Sequence, residues 1–576
     1  MAFSGNYWAV RCVTFGAMGA IALGIPLESS YGETLSPKQA EPKQLNHKDD
    51  DPCKGNRPLN RPQFPLRTTS SVLQEKLRKL EKDFFRIPNR KTCQAELQKL
   101  TDAVTETYVN NGYINSFATL DQTVDPPEIK ITEGEIKNLE LPSVDEIGTP
   151  SGTTITGLNN VSPEYLLPRI QQYITSPFNA SRLEEGLVIM NRDPNFKEFR
   201  GTLSTSKDSS GKPELVLDVK ERNQFQGFVS FDNESPVSVG SERIGAGLSV
   251  SNLTNFGDQL AFSYYRSTSN GLNQYDISYS IPVNLQDGRL SFRVAPNNFR
   301  ITQSDFAALG IRGAGTLYEV NFRQPIARSR VDEFALSLGY AYQTGQTFLF
   351  NDLQTPFGIG PESDGSTRTG VIKFGQEYTL REPNNSAWSF RSQFNLGTGL
   401  GIFNVSSNKV NNPNAPTSHF LSWSGQIQRL QGLGRNVFLL ASLDTQLASD
   451  PLLSSQQFAI GGAQSVRGFR QNVRVGDNGF RLSLENRWVL LRDEIDESSK
   501  LQFGPFVDLG AIWNHPRNPN QLPQQNFIAG GGLVAILEPL KGLTMRLDYA
   551  IPFLRLSDKT NNLQDSSLYF NMKYQF

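Results

Sequence analysis

The sequence predicts a transmembrane β-barrel of about sixteen antiparallel strands, preceded by two small α+β modules. Three features carry that reading. From Phe225 onward apolar and polar residues alternate with a period of two, as strands set between lipid and a wet lumen require. The connections between these segments are by turns tight and long, matching short turns on one side of a membrane and long loops on the other. The final stretch, residues 568–576, puts Leu568, Phe570, Met572, Tyr574 and Phe576 on one face and Tyr569, Asn571, Lys573 and Gln575 on the other.

The 576 residues exceed one compact domain, and with 37% hydrophobic and 20% charged residues the chain would pass for a soluble protein. An average cannot reveal a barrel, which places its apolar face in every second residue. A helical membrane protein would need apolar runs of about 20 residues, and beyond the N-terminus none occurs. Residues 1–32 hold a lone Arg11, an apolar run over 13–25 and small residues up to Gly32, the pattern of a cleaved secretory signal. That run is shorter than the about 17 residues an anchor needs. Residues 33–65, rich in Pro, Asn, Lys and Asp and without apolar periodicity, read as a flexible linker. Cys12 would leave with the signal. Cys53 and Cys93 could then form one disulfide between linker and first module, or remain two thiols, and their spacing does not decide. A net charge of -1 offers no basic face to nucleic acid.

The first module spans residues 66–134. Leu73, Leu77, Leu80 and Phe84 recur at helical spacing; a second helix carries Leu97, Leu100, Val104 and Tyr108 on one face and is closed by Asn111-Gly112. Strands are expected at 113–120 and 128–131, with a faint opening strand at 63–67. The second module, residues 135–222, is expected to hold a strand at 136–141, helices near 162–174 and 181–191, and paired strands at 197–204 and 214–221.

Within the barrel, residues 223–576, Tyr275, Ile277, Tyr279 and Ile281 alternate with polar residues, and Phe334, Leu336, Leu338, Tyr340 and Tyr342 alternate with small ones. Trp388, Phe390, Phe394 and Leu396 oppose Ser389, Arg391, Gln393 and Asn395, so Arg391 points into the lumen. Tight connections are expected at 255–259, 284–288 and 538–542, and long ones at 345–368 and 448–479. An even strand count returns both barrel ends to the same side of the membrane.

The stretch 448–479 joins strands eleven and twelve as the sixth long loop and contains Val466-Arg467-Gly468-Phe469 behind Gly461 and Gly462. Glycines let a tip turn tightly in a confined space. On the next strand but one lies Phe506-Val507-Asp508-Leu509-Gly510, where Leu501, Phe503 and Val507 face lipid and Gln502, Phe506 and Asp508 face inward. Glu485, opposite Leu484 and Trp488, also faces inward. A guanidinium can hold a carboxylate bidentately, so Arg467 has two inward partners to choose from.

These residues resemble the TpsB transporters of two-partner secretion, members of the outer-membrane assembly superfamily whose sixth loop bears a V-R-G-Y/F tip and which carry an F-x-D-x-G strand motif. The resemblance runs from about Leu73 to the end. The two N-terminal modules resemble polypeptide-transport-associated (POTRA) domains, with Tyr108-Val109-Asn110-Asn111-Gly112-Tyr113 similar to the Y-x-x-x-G-Y passage of the first. The resemblance implies an outer-membrane pore of a Gram-negative-type envelope, POTRA domains in the periplasm, and a large unfolded exoprotein as cargo. It also implies a pairing of Arg467 with Asp508, with Val466, Gly468, Phe469, Phe506 and Gly510 as motif residues. Tyr574 and Phe576 are expected to form a C-terminal signal for the barrel assembly machinery, and the outward face to meet outer-membrane lipid. Many family members plug the barrel with an N-terminal helix, and residues 33–65 offer no amphipathic helix for that role. The competing functions are a barrel-insertion factor and, further off, a passive solute channel. No enzyme, cofactor or metal site is expected: His47, His419 and His515 lack ligand spacing, and Phe469 and Arg470 stand where a phosphate loop needs Lys and Ser/Thr.

Overall fold

In the computed structural model sixteen strands close into one antiparallel barrel, each pairing with its neighbour in the chain and the last returning to the first. The structure describes residues 71–86, 93–124, 126–144, 150–151, 153–204, 212–398, 412–494, 498–556 and 562–576. The expected secretory signal, the expected linker with Cys53 and the faint strand expected at 63–67 lie outside them. Cys93 is disulfide-bonded.

The described residues fall into two units that part between Arg222 and Asn223. In the first, helices Ser71–Phe85 and Gln94–Asn110 bury Leu73, Leu77, Leu100, Val104 and Tyr108 against the ladder Phe117–Asp121 with Glu128–Thr132. The strand expected from 113 begins later. The Tyr108 carbonyl accepts from the N–H groups of both Asn111 and Tyr113, so the chain turns before it can extend. A second core gathers Tyr165, Leu166, Ile170, Phe178 and Phe196 between helices Pro163–Gln171 and Ala180–Met190 and the paired strands Phe196–Ser204 and Glu214–Glu221. The Ser162 side chain caps the first of these helices by accepting from Glu164 N–H at 3.1 Å.

The strand expected at 136–141 does not form. Ile136 is buried, but the segment makes isolated backbone bonds, Lys137 N–H to Pro213 and Thr153 N–H to Glu140, without a ladder. Instead the two-residue strand Ile155–Thr156 pairs parallel with Glu214–Glu221. Asn179 joins the two cores: its amide donates to the Asn111 carbonyl at 2.9 Å, and Ala180 N–H donates to the Gly112 carbonyl at 2.8 Å. Gly112 has φ +89, and a Cβ there would lie 2.7 Å from the Asn179 Oδ1, so only glycine suits this joint.

The barrel runs from strand one, Phe225–Asp232, to strand sixteen, Leu568–Gln575, and closes by the register Asn571↔Asp232 to Gln575↔Phe228. Strands six to nine are Arg312–Arg328, Asp332–Leu349, Ser366–Glu382 and Ser386–Thr398. Strands eleven to fifteen are Val437–Ala448, Asn478–Arg492, Ser499–Trp513, Phe527–Leu540 and Leu543–Pro552. Alternation places Leu338, Phe394, Leu484, Val507 and Leu547 on the exposed outer face. Strands seven and eight extend past the limits expected for the loop at 345–368, because the ladder continues to Gln346↔Ser366 and a short strand, Leu353–Gln354, pairs back onto strand seven.

Candidate functional site

The sixth loop, residues 449–477, is more ordered than its polar sequence suggests. It contains a two-stranded ribbon, Phe458–Ile460 with Arg474–Gly476, and an apolar cluster in which Val466 and Phe469 are buried with Phe458, Ile460, Ile512 and Ile528. Burying side chains of this size contributes about 1.5–3 kcal/mol each. The tip turns through Gly461, Gly462 and Gly468, all with φ between +100 and +107, where a Cβ would be strained.

Two glycines of the wall make room for it. A Cβ on Gly510 would stand 3.1 Å from a Val466 methyl, which ties the last residue of the F-x-D-x-G motif to the first of the loop tip. A Cβ on Gly530 of strand fourteen would stand 2.4 Å from the Arg467 carbonyl oxygen. Side chains at either position would push the tip away.

Arg467 is 3% exposed and reaches three carboxylates on three strands. Its Nε donates to Asp508 Oδ2 at 2.6 Å and its Nη2 to Asp508 Oδ1 at 2.9 Å; its Nη1 donates to Glu485 and to Asp548, both at 2.8 Å. The Arg467 backbone N–H also donates to Asp508 at 3.1 Å, and Ser483 donates to the same carboxylate at 2.6 Å. The guanidinium lies 3.3 Å above the Phe506 ring, so the motif's phenylalanine supplies a cation–π floor. Glu485 further pairs with Arg487 and with Arg546 at 3.3 Å, and Arg546 clasps Asp548 at 2.7 and 2.8 Å. Three arginines thus meet three carboxylates. Burial would otherwise make each charge costly, and this balance is what makes the cluster tolerable.

The tip has other holds. The buried Tyr569 hydroxyl accepts from Gly468 N–H at 2.9 Å and donates to the Phe469 carbonyl at 2.7 Å. Arg470 forms a two-bond pair with Asp565 at 2.6 and 2.9 Å. At the loop's base the buried Asp477 accepts from Leu452 N–H, His515 N–H and the side chains of Gln457 and Asn518.

Arg467, Asp508, Glu485, Val466, Phe469, Phe506 and Gly510 therefore converge, with Gly468 at the turn. Tyr574 and Phe576 stand apart on the exposed face, and Phe576 exchanges backbone bonds with Gly227 of strand one. Asp548, Arg487, Arg546 and Tyr569 were not singled out from the sequence. For Asp548 and Arg546 the signal existed, since the exposed Leu547 and Tyr549 put both on the inner face. Among the described residues no group of three or more His, Cys, Asp or Glu is placed to hold a metal ion.

Comparison with known proteins gives a consistent set of likenesses. The model of the family described as "Haemolysin secretion/activation protein ShlB/FhaC/HecB" matches residues 211–535, more than half of the chain. "Heme/hemopexin transporter protein HuxB" of Haemophilus influenzae (strain 86-028NP) is 24% identical over 486 residues, covering 81% of this chain and 78% of that protein. "Outer membrane transporter CdiB" of Dickeya dadantii (strain 3937) is 22% identical over 441 residues, covering 75% and 72%. Among solved structures, CdiB from Escherichia coli superposes with a TM-score of 0.68 at 18% identity over 92% of this chain and 93% of that one. BamA from Haemophilus ducreyi lacking POTRA domains 1-3 has a TM-score of 0.50 at 13% identity, a likeness of fold alone.

Proposed function

Because the chain belongs to the haemolysin secretion/activation protein family, and so is a secretion transporter of the outer membrane working with a secreted exoprotein, we propose how its parts divide that task. The two N-terminal modules recognise the unfolded partner. The sixth loop folds into the lumen, closes the conduit at rest and shifts when the partner enters. The observation that carries this reading is the hold on Arg467: a loop with no function inside the barrel has no need of a buried cation bonded to three strands.

Recognition by strand addition is supported by the sheet order of the second module, in which Phe196–Ser204 forms an edge with no strand on its other side among the described residues, although the Asn191 side chain already takes the Phe199 N–H at 3.0 Å. An extended segment of the partner can bond to such an edge. Transit then follows the lumen, and folding of the emerged chain outside makes the motion one-way without a nucleotide. The barrel assembly machinery inserts the chain through its C-terminal strand, ending on Tyr574 and Phe576, and the outer face rests in lipid.

Deletion of residues 135–221 tests the division of labour. The shortened protein should reach the membrane and conduct ions in a planar bilayer while secreting no partner. Continued secretion would place recognition elsewhere, and a general loss of other barrel proteins from the membrane on removal of the intact chain would point to barrel insertion instead.

A further inference from the structure

The wall formed by strands six to nine is built unlike the wall that seats the loop. Strand seven turns Ala335, Ser337, Gly339 and Ala341 inward, all small, with Gly339 opposite Lys373 and Ser337 opposite Arg323. Over this low strand the long side chains of strands six and eight meet. Lys373 lies 2.9 Å from Glu319, and the Arg323 Nε donates to Glu377 at 2.8 Å. Glu377 also accepts from Arg391 of strand nine at 2.8 Å, while Arg323 Nη2 donates to Glu333 at 2.7 Å. Arg323, Glu333, Glu377 and Arg391, on four neighbouring strands, are thereby linked, with Lys373 and Glu319 a separate bridge beside them.

These pairs are wet. The side chains of Arg323, Glu377 and Arg391 are 31%, 25% and 32% exposed, against 3% for Arg467. Pairs partly open to water contribute less to stability than the buried cluster at Arg467, and the loop tip rests on other strands, the loop touching this wall through Gln456 and Gln343 at 3.2 Å. Their chemistry suggests a different role. A bare guanidinium would grip a passing carboxylate with two parallel bonds, and a bare carboxylate would hold a passing lysine or arginine. Each group here is already taken.

We propose that the inner face of strands six to nine is the surface along which the unfolded chain slides, the charges of Glu319, Lys373, Arg323, Glu333, Glu377 and Arg391 occupied by one another so that these groups retain neither acidic nor basic stretches. This rests on the export reading above. Glu377 is the pivot, since it occupies two arginines at once.

The test uses the full-length protein in planar bilayers under a KCl gradient, with two synthetic unfolded peptides of equal length, one acidic and one basic, as probes. The parent should hold both peptides for similar times. Glu377→Gln should move the reversal potential toward anion preference and lengthen the dwell of the acidic peptide severalfold. Arg391→Gln should move the potential the opposite way, and the double variant should return toward the parent. Equal shifts in one direction, no shift, or a parent that strongly retains one peptide would each overturn the proposal. Should Glu377→Gln not reach the folded form, Glu319→Gln and Lys373→Gln supply the same opposed pair at the second bridge. The probes are unrelated to any natural partner, so a failure here leaves export intact, whereas lost export with normal charge behaviour would count against the export reading alone.

Discussion

Replacing Arg467 with alanine should release the loop tip while leaving the barrel closed. The substitution removes one of three positive charges from a cluster that balances three negative ones, and Asp508, with no exposed surface, is left with only the Ser483 hydroxyl and the tip backbone as donors. Breaking a buried pair by removing one partner costs about 3–5 kcal/mol. At about 1.4 kcal/mol per factor of ten, the ratio of docked to undocked loop falls between roughly a hundredfold and a few thousandfold. Asp508→Ala should cost somewhat less, because Glu485 and Asp548 still hold the guanidinium. The double variant should be no worse than Arg467→Ala, since both changes remove one interaction. The readouts are partner protein in the medium, heat-shifted mobility of the folded barrel on a gel, and hydrogen exchange of residues 458–476. Additive losses, or unchanged exchange protection in Arg467→Ala, would refute the argument.

Tyr569→Phe removes one acceptor and one donor from the tip and should weaken docking by about 1–3 kcal/mol, read as faster exchange at Gly468 with the barrel intact. Gly530→Val forces side-chain atoms against the Arg467 carbonyl and should undock the tip at a cost of about 1–3 kcal/mol; protection equal to the parent would show that the wall yields. A cysteine at Leu353, which is exposed, should react in whole cells with a reagent that cannot cross the membrane, and one at Gln286 should not; the reverse pattern would invert the topology.

Alternation made the barrel legible because each strand there has one face toward lipid and the other turned inward, so a single physical rule governs nearly every residue. The same rule put Asp508 and Glu485 inward. It could not say that strand fifteen comes as near the tip as strand twelve, which is why Asp548 went unnoticed although Leu547 and Tyr549 flank it. In the N-terminal modules no such rule applies. Ile136 has the burial of a strand residue without a ladder, and Tyr113 has the composition of one but is drawn into the helix's closing turn. The ribbon at 458–460 and 474–476 was hidden for a similar reason: three-residue strands are shorter than any period they could display.

The balance of three arginines and three carboxylates around the loop tip also has an electrical meaning. Were Arg467 to leave this cluster, it would take one elementary charge with it and leave these wall residues one charge negative, apart from the second charge that Arg470 carries in its own pair with Asp565. A unit charge moved through the whole of a 100 mV drop gains about 2.3 kcal/mol, and a charge moved through part of it gains less. That falls short of the about 3–5 kcal/mol holding the arginine in place. Modest applied voltages acting on this one charge should therefore bias the Arg467 side chain without pulling it free of its carboxylates.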